Sequence, residues 1–153
     1  MARPDVVMSR YLGYTPGMMW TPTRDEVVLS GNLMRHADVC VSPGSTMTIE
    51  PAIFDTPTIL PILNPLMPED YDALFNELWI SRHFRALVDN DQVPVVRSVD
   101  ELAAAINRAL DDPSWYREQR AEIRSSLCGP LDGGAIPRIV DVLQRAARRE
   151  SRR

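Results

Sequence analysis

The chain has 153 residues, 44% of them apolar and 25% charged, with a formal net charge of −4. That length supports one core without disulfide or metal staples, and the acidic excess argues against a broad nucleic-acid footprint. All 17 basic side chains are arginine, which excludes a phosphate-loop lysine, a Schiff-base lysine and a lysine general base.

Residues 1–17 form a poorly defined start. The segment MARPDVV lacks the apolar core of a signal peptide, and no run in the chain approaches the roughly 18 apolar residues of a membrane span. A cytoplasmic protein is expected. Pro4 to Ser9 suit a strand, Gly13 to Gly17 a turn, and Gly17 to Trp20 a second short strand. Thr23 is placed to cap a helix through about Ala37, with Val27, Val28, Leu29, Leu33 and Met34 as its apolar stripe. A buried strand over Val39–Val41 comes next. Cys40 within it suits a small core residue; with Cys128 far away, two His and no CxxC, neither a disulfide framework nor a zinc site is expected.

The next loop carries the chemistry. Gly44 lets backbone approach a ligand closely, and the hydroxyls of Ser45 and Thr46 together with helix N–H groups suit an anion. Glu50 stands one helical turn further on, about 6 Å along at 1.5 Å per residue, where a carboxylate can accept from vicinal hydroxyls. Ser and Thr are also ordinary helix caps, so the same letters fit a loop that binds nothing. Pro51 disfavours the α conformation at Glu50 and removes a backbone donor, so the helix either starts at Pro51 or kinks after one turn. After an Asp-Thr-Pro turn, Thr58–Leu63 suit a second buried strand, and strands alternating with helices indicate βαβ units.

Asn64–Glu69 is a Pro-rich loop, and Asp70–Trp79 suit a helix that Ile80–Val88 either continue or break. Val93–Val96 suit a last strand, Pro94 fitting its start. Ser98 is placed to cap a helix with Asp100 and Glu101 in its first turn and Pro113 beyond its end. Further helices are expected from about Ser114 to Gly129 and from about Ala135 to Arg149. A basic tail covers 146–153; such a run complements a helix dipole, and contact with anionic lipid is the other reading.

Taken in order, Arg35-His36-Ala37-Asp38, the strand Val39–Val41, Pro43-Gly44-Ser45-Thr46, Glu50, Phe54-Asp55-Thr56-Pro57 and the strand after them resemble the C-terminal, donor-binding half of GT-B glycosyltransferases. Ser98-Val99-Asp100-Glu101-Leu102, Asp112-Pro113 and Cys128-Gly129-Pro130-Leu131-Asp132-Gly133 resemble the closing helices of bacterial members. The resemblance spans about Met18 to Leu143. It implies a single α/β, Rossmann-like three-layer domain over 1–153, with a mostly parallel sheet and C-terminal helices. It further implies that Gly44, Ser45 and Thr46 bind the diphosphate of a nucleotide-sugar donor and Glu50 its ribose, while Trp20 and Thr21, with Pro22, lie beside the base.

By the same resemblance transfer needs no metal and no cofactor besides the donor substrate, and charge on the departing diphosphate would be stabilised by N–H groups and hydroxyls. By the resemblance neither an acceptor domain nor an obvious general base is found, so the chain alone is expected to be inactive and to need an N-terminal domain or partner subunit. It would also expose the surface facing that partner and self-associate. His83 is the remaining candidate base. Two alternatives stay open: the nucleotide half of a sugar-nucleotide 2-epimerase, and a non-catalytic α/β interaction module.

Overall fold

In a computed structural model, which describes residues 22–63 and 82–150 and leaves aside the side chains of residues 82, 83, 149 and 150, helix α1 runs Arg24–His36. Thr23 closes its start as expected. The Thr23 hydroxyl accepts from Glu26 N at 3.3 Å, and the Glu26 carboxylate accepts from Thr23 N at 2.7 Å, a reciprocal pair that satisfies two donors at a helix start. Arg35 and His36 occupy the last turn, where positive charge complements the dipole. The expected apolar stripe is corrected. Met34 is buried, but Val27, Val28, Leu29 and Leu33 are 47–56% exposed. At about 100° per residue, three consecutive apolar positions cannot share one face.

Among the described residues the sheet has three parallel strands, β1 (Cys40–Val41), β2 (Thr58–Pro61) and β3 (Val95–Val96), in the spatial order β1-β2-β3. Cys40 pairs with Thr58 and Val41 with Ile59; Leu60 pairs with Val95 and Pro61 with Val96. The strands are shorter than the sequence suggests, but every residue of β2 is buried. Proline in a central strand needs an explanation. Leu60 N and Ile62 N donate to Pro94 O and Val96 O at 2.9 and 2.8 Å, so by alternation the N–H that Pro61 lacks would face β1. There the ladder has already reached its last rung, Ser42 N to Ile59 O at 3.0 Å. Pro61 ends the pairing, and β1 is free to turn away.

The remaining helices are α2 (Arg82–Asp89), α3 (Val99–Asp111), α4 (Arg117–Leu127) and α5 (Ala135–Glu150). Ser98 caps α3, accepting from Glu101 N at 3.2 Å. Side chains of successive strand residues leave on opposite faces, and β2 uses both. Leu60 and Ile62 join Ala52, Phe84, Leu87, Val93 and Ile123 in one core, while Ile59 joins Val96 and Ala105, backed by Leu102, Ile106 and Trp115, in the other. The architecture is α/β, a parallel sheet covered on both faces. The expected strands before Trp20, the Asn64–Glu69 loop and the Asp70–Trp79 helix lie outside the described residues. Among the described residues no helix is long and apolar enough to cross a membrane.

Candidate functional site

The site grows from the place where β1 leaves the sheet. Beyond Ser42 the chain reverses through Gly44, which is buried and adopts φ 88°, a conformation that glycine takes without the steric cost a Cβ would add. The expected α-helix does not form after this turn. Two 3₁₀ segments, Thr46–Thr48 and Glu50–Phe54, are joined at Ile49, and Asp55 ends the second at φ 61°. Pro51 accounts for the break, since it denies the helix a donor and restricts Glu50. Short 3₁₀ pieces are the tighter alternative.

Four hydrogen bonds hold the loop from within. Thr48 Oγ1 donates to Ser42 Oγ at 3.0 Å, and Ser42 Oγ lies 3.3 Å from Ser45 Oγ. Ser45 Oγ accepts from Met47 N at 3.2 Å, while Ser45 N donates to Thr48 Oγ1 at 3.3 Å. Ser42 and Thr48 are 4% and 1% exposed. The hydroxyl cluster therefore fixes the loop, with Ser45 acting as a cap.

Beside the loop lies a cleft of about 430 Å³ between α1 and the 3₁₀ pair, lined among others by Pro22, Glu26, Val27, Met34, Thr46, Met47, Glu50, Ile53 and Phe54. Its volume falls within the ~300–1,000 Å³ of small-molecule sites. Val27, Met34, Ile53 and Phe54 give apolar walls. The Ser30 and Thr46 hydroxyls and two carboxylates, Glu26 and Glu50, supply polarity, and among the described residues no basic side chain is in the lining. Ionised carboxylates only accept hydrogen bonds, so the interior suits a partly apolar ligand rich in hydroxyl or amino donors. Thr46 and Glu50 are brought to one cleft, with Pro22 also on its wall. Gly44 and Ser45 are not in its lining; they shape the loop behind Thr46. Trp20 and Thr21 lie outside the described residues. His83 belongs to α2, and its side chain likewise lies outside them.

Cys128, at the C-cap of α4, lies near this region: burial pushes its thiol pKa up, and the Glu50 carboxylate adds to the rise. Burial also pushes up the Cys40 thiol. Both cysteines are free and held as thiols, which are poor nucleophiles. Among the described residues no group of three or more His, Cys, Asp or Glu is arranged to hold a metal ion.

Sequence reasoning missed Arg120. It is 4% exposed and lies beneath the turn that closes the 3₁₀ pair. Its Nε donates to Asp55 Oδ1 at 2.8 Å, Nη1 to Trp115 O at 2.6 Å and Nη2 to Pro113 O at 2.8 Å. Arg117 Nε also donates to Asp55, at 3.2 Å. Nothing in the local pattern distinguishes this arginine from its solvated neighbours on a polar helix. The Asp55-Thr56-Pro57 turn was the available signal, because an Asp at positive φ places its carboxylate beside the next element.

In comparisons with known proteins, no protein-family model matches the chain, and neither a curated protein nor a solved structure matches it.

Proposed function

We propose that the chain is the nucleotide-sugar-binding half of a metal-independent GT-B glycosyltransferase, acting with an acceptor domain supplied by an N-terminal region or a partner subunit. One observation carries this reading: Thr46 and Glu50 line one cleft with Pro22, next to a glycine-dependent loop at the C-terminal end of a parallel strand. Open parallel sheets bind ligands at that end. In this reading the nucleoside enters the cleft, Glu50 accepts from its ribose hydroxyls, and the apolar walls flank the base near Pro22. The diphosphate rests at the rim by Thr46, outside the two carboxylates. Trp20 and Thr21 would complete the nucleobase site, and His83 would be the candidate general base. Transfer requires the second domain, so this chain alone would be inactive.

A second reading has its own support. The hydroxyl and amide of Ser45 both serve the loop itself, as they would in a non-catalytic α/β module that associates with a partner or with itself. The sugar-nucleotide 2-epimerase alternative shares the donor site and differs only in the domain that would face it.

Calorimetric titration with UDP, GDP, CDP, dTDP and ADP, beside Glu50→Ala, separates the donor-half reading from the interaction module. The donor-half reading expects one diphosphate to bind and to lose about 1–3 kcal/mol of affinity in the variant, the cost of removing a buried hydrogen-bonding partner. Absence of heat with all five ligands at millimolar concentration favours the interaction module.

A further inference from the structure

Helix α5 presents a face that the rest of the described fold leaves open. Ile136, Ile139, Val140, Val142 and Leu143 are 73%, 59%, 44%, 56% and 62% exposed. Residues 136, 139, 140 and 143 have the i, i+3, i+4, i+7 spacing of one helical face. Arg138, Asp141, Arg145 and Arg148 fall on the opposite side at about 100° per residue. Ion pairs order part of that polar side, Arg138 to Asp132 at 2.9 Å and Arg145 to Asp141 at 2.7 Å.

The charge of the chain is divided along the same line. Residues 138–153 carry six Arg against two acids, a net of +4, so the other residues carry −8 of the total −4. We propose that α5 docks this chain on an anionic lipid surface, its aliphatic face entering the headgroup boundary and the positive charge of this segment drawing it to the anionic leaflet. A strongly amphipathic, Arg-bearing helix of low overall hydrophobicity is the type that lies in a membrane interface. Each basic residue near an anionic leaflet strengthens the attraction, and repulsion of the acidic body orients the helix toward the bilayer.

A second copy fits this face less well. Four aliphatic side chains at ~100 Å² each offer about 400 Å², short of the ~800 Å² per partner of a standard stable interface. Pairing α5 with itself would also bring two copies of a +4 segment together. The inference is independent of the nucleotide cleft, which lies against α1.

Flotation of the full chain with vesicles of 70% phosphatidylcholine and 30% phosphatidylglycerol, against pure phosphatidylcholine, tests it. Ile139→Asp/Leu143→Asp changes only exposed positions, and circular dichroism checks that the helix persists. Expected results are at least about tenfold stronger partitioning to the anionic vesicles, loss of most of it in the double variant, and weakening in Arg145→Gln/Arg148→Gln and in high salt. Absence of binding to anionic vesicles overturns the proposal. Equal binding by the double variant overturns it too, as does a dimer in sedimentation velocity that the double variant dissolves while no vesicles are bound.

Discussion

Arg120 Nε lies 2.8 Å from Asp55 Oδ1, joining helix α4 to the turn that ends the second 3₁₀ segment. The contact spans 65 residues of chain, and the same guanidinium also serves Trp115 O and Pro113 O. It sets the back wall of the cleft loop through one side chain. No buried side-chain polar atom among the described residues is left without a partner; replacing this group takes a donor from three acceptors at once, of which Asp55 keeps Arg117.

Arg120→Met is expected to destabilise the fold by about 2–3 kcal/mol. Removing one partner of a fully buried pair costs about 3–5 kcal/mol, and the lower figure allows for Asp55, whose side chain is 37% exposed. Arg120→Lys recovers little, since a single ammonium cannot reach three acceptors in the guanidinium fork. Urea unfolding midpoints with an unchanged slope would register the loss; wild-type midpoints in both variants would refute the account.

Gly44→Ala tests the turn out of β1. At φ 88° a Cβ meets the steric cost of the left-handed region, about 1–2 kcal/mol. Melting should shift down by several degrees, and Gly44→Asn should lose less because Asn tolerates positive φ. Identical melting of the alanine variant and the wild type would show that the turn carries no such constraint.

Thr48→Val removes the donor to Ser42 inside the hydroxyl cluster. The expected cost is about 1–2 kcal/mol, since an acceptor with little exposure loses a partner. Adding Ser42→Ala should cost less than the two single changes summed, because groups in contact couple. A strictly additive double-mutant cycle would place the two side chains in separate environments.

Tyr116 governs the alkaline edge. Burial first, and then its hydrogen bond to Asp91 at 2.7 Å, pushes the phenol up from 10.0 to about 12. The fold holds this proton more tightly than the unfolded chain does. Its contribution is complete below pH ~10 and lost as pH rises toward ~12, where the unfolded state binds fewer protons. Among four tyrosines, absorbance at 295 nm should show a late-titrating fraction that Tyr116→Phe removes. Persistence of that fraction in the variant assigns it elsewhere.

Local chemistry was legible, and distant partnership was not. Thr23 and Ser98 announced their helices because a cap and the N–H that donates to it lie within three residues of one another. Glu50 and Thr46 could be placed near each other for the same reason, and Pro51 foretold a disturbance, although the resulting pair of 3₁₀ segments depends on how Asp55 is held. Residues 27–29 misled because apolar letters do not say which way a helix faces. Arg120 was invisible, its three acceptors being set by a turn and by a partner 65 residues away. Ile136 to Leu143 carry the spacing of a helix face, yet that spacing does not say what the face meets, and among the described residues these side chains are exposed.

The strands stand in the sheet in the order in which they occur in the chain, each bonded to its successor. Among the described residues no later strand is inserted between two that precede it. Such a sheet grows by accretion: β1 and β2 can meet before β3 has been added, and each pairing closes a single crossover. Loop closure is then met in stages, which favours rapid assembly over the slow search required when a sheet interleaves distant segments.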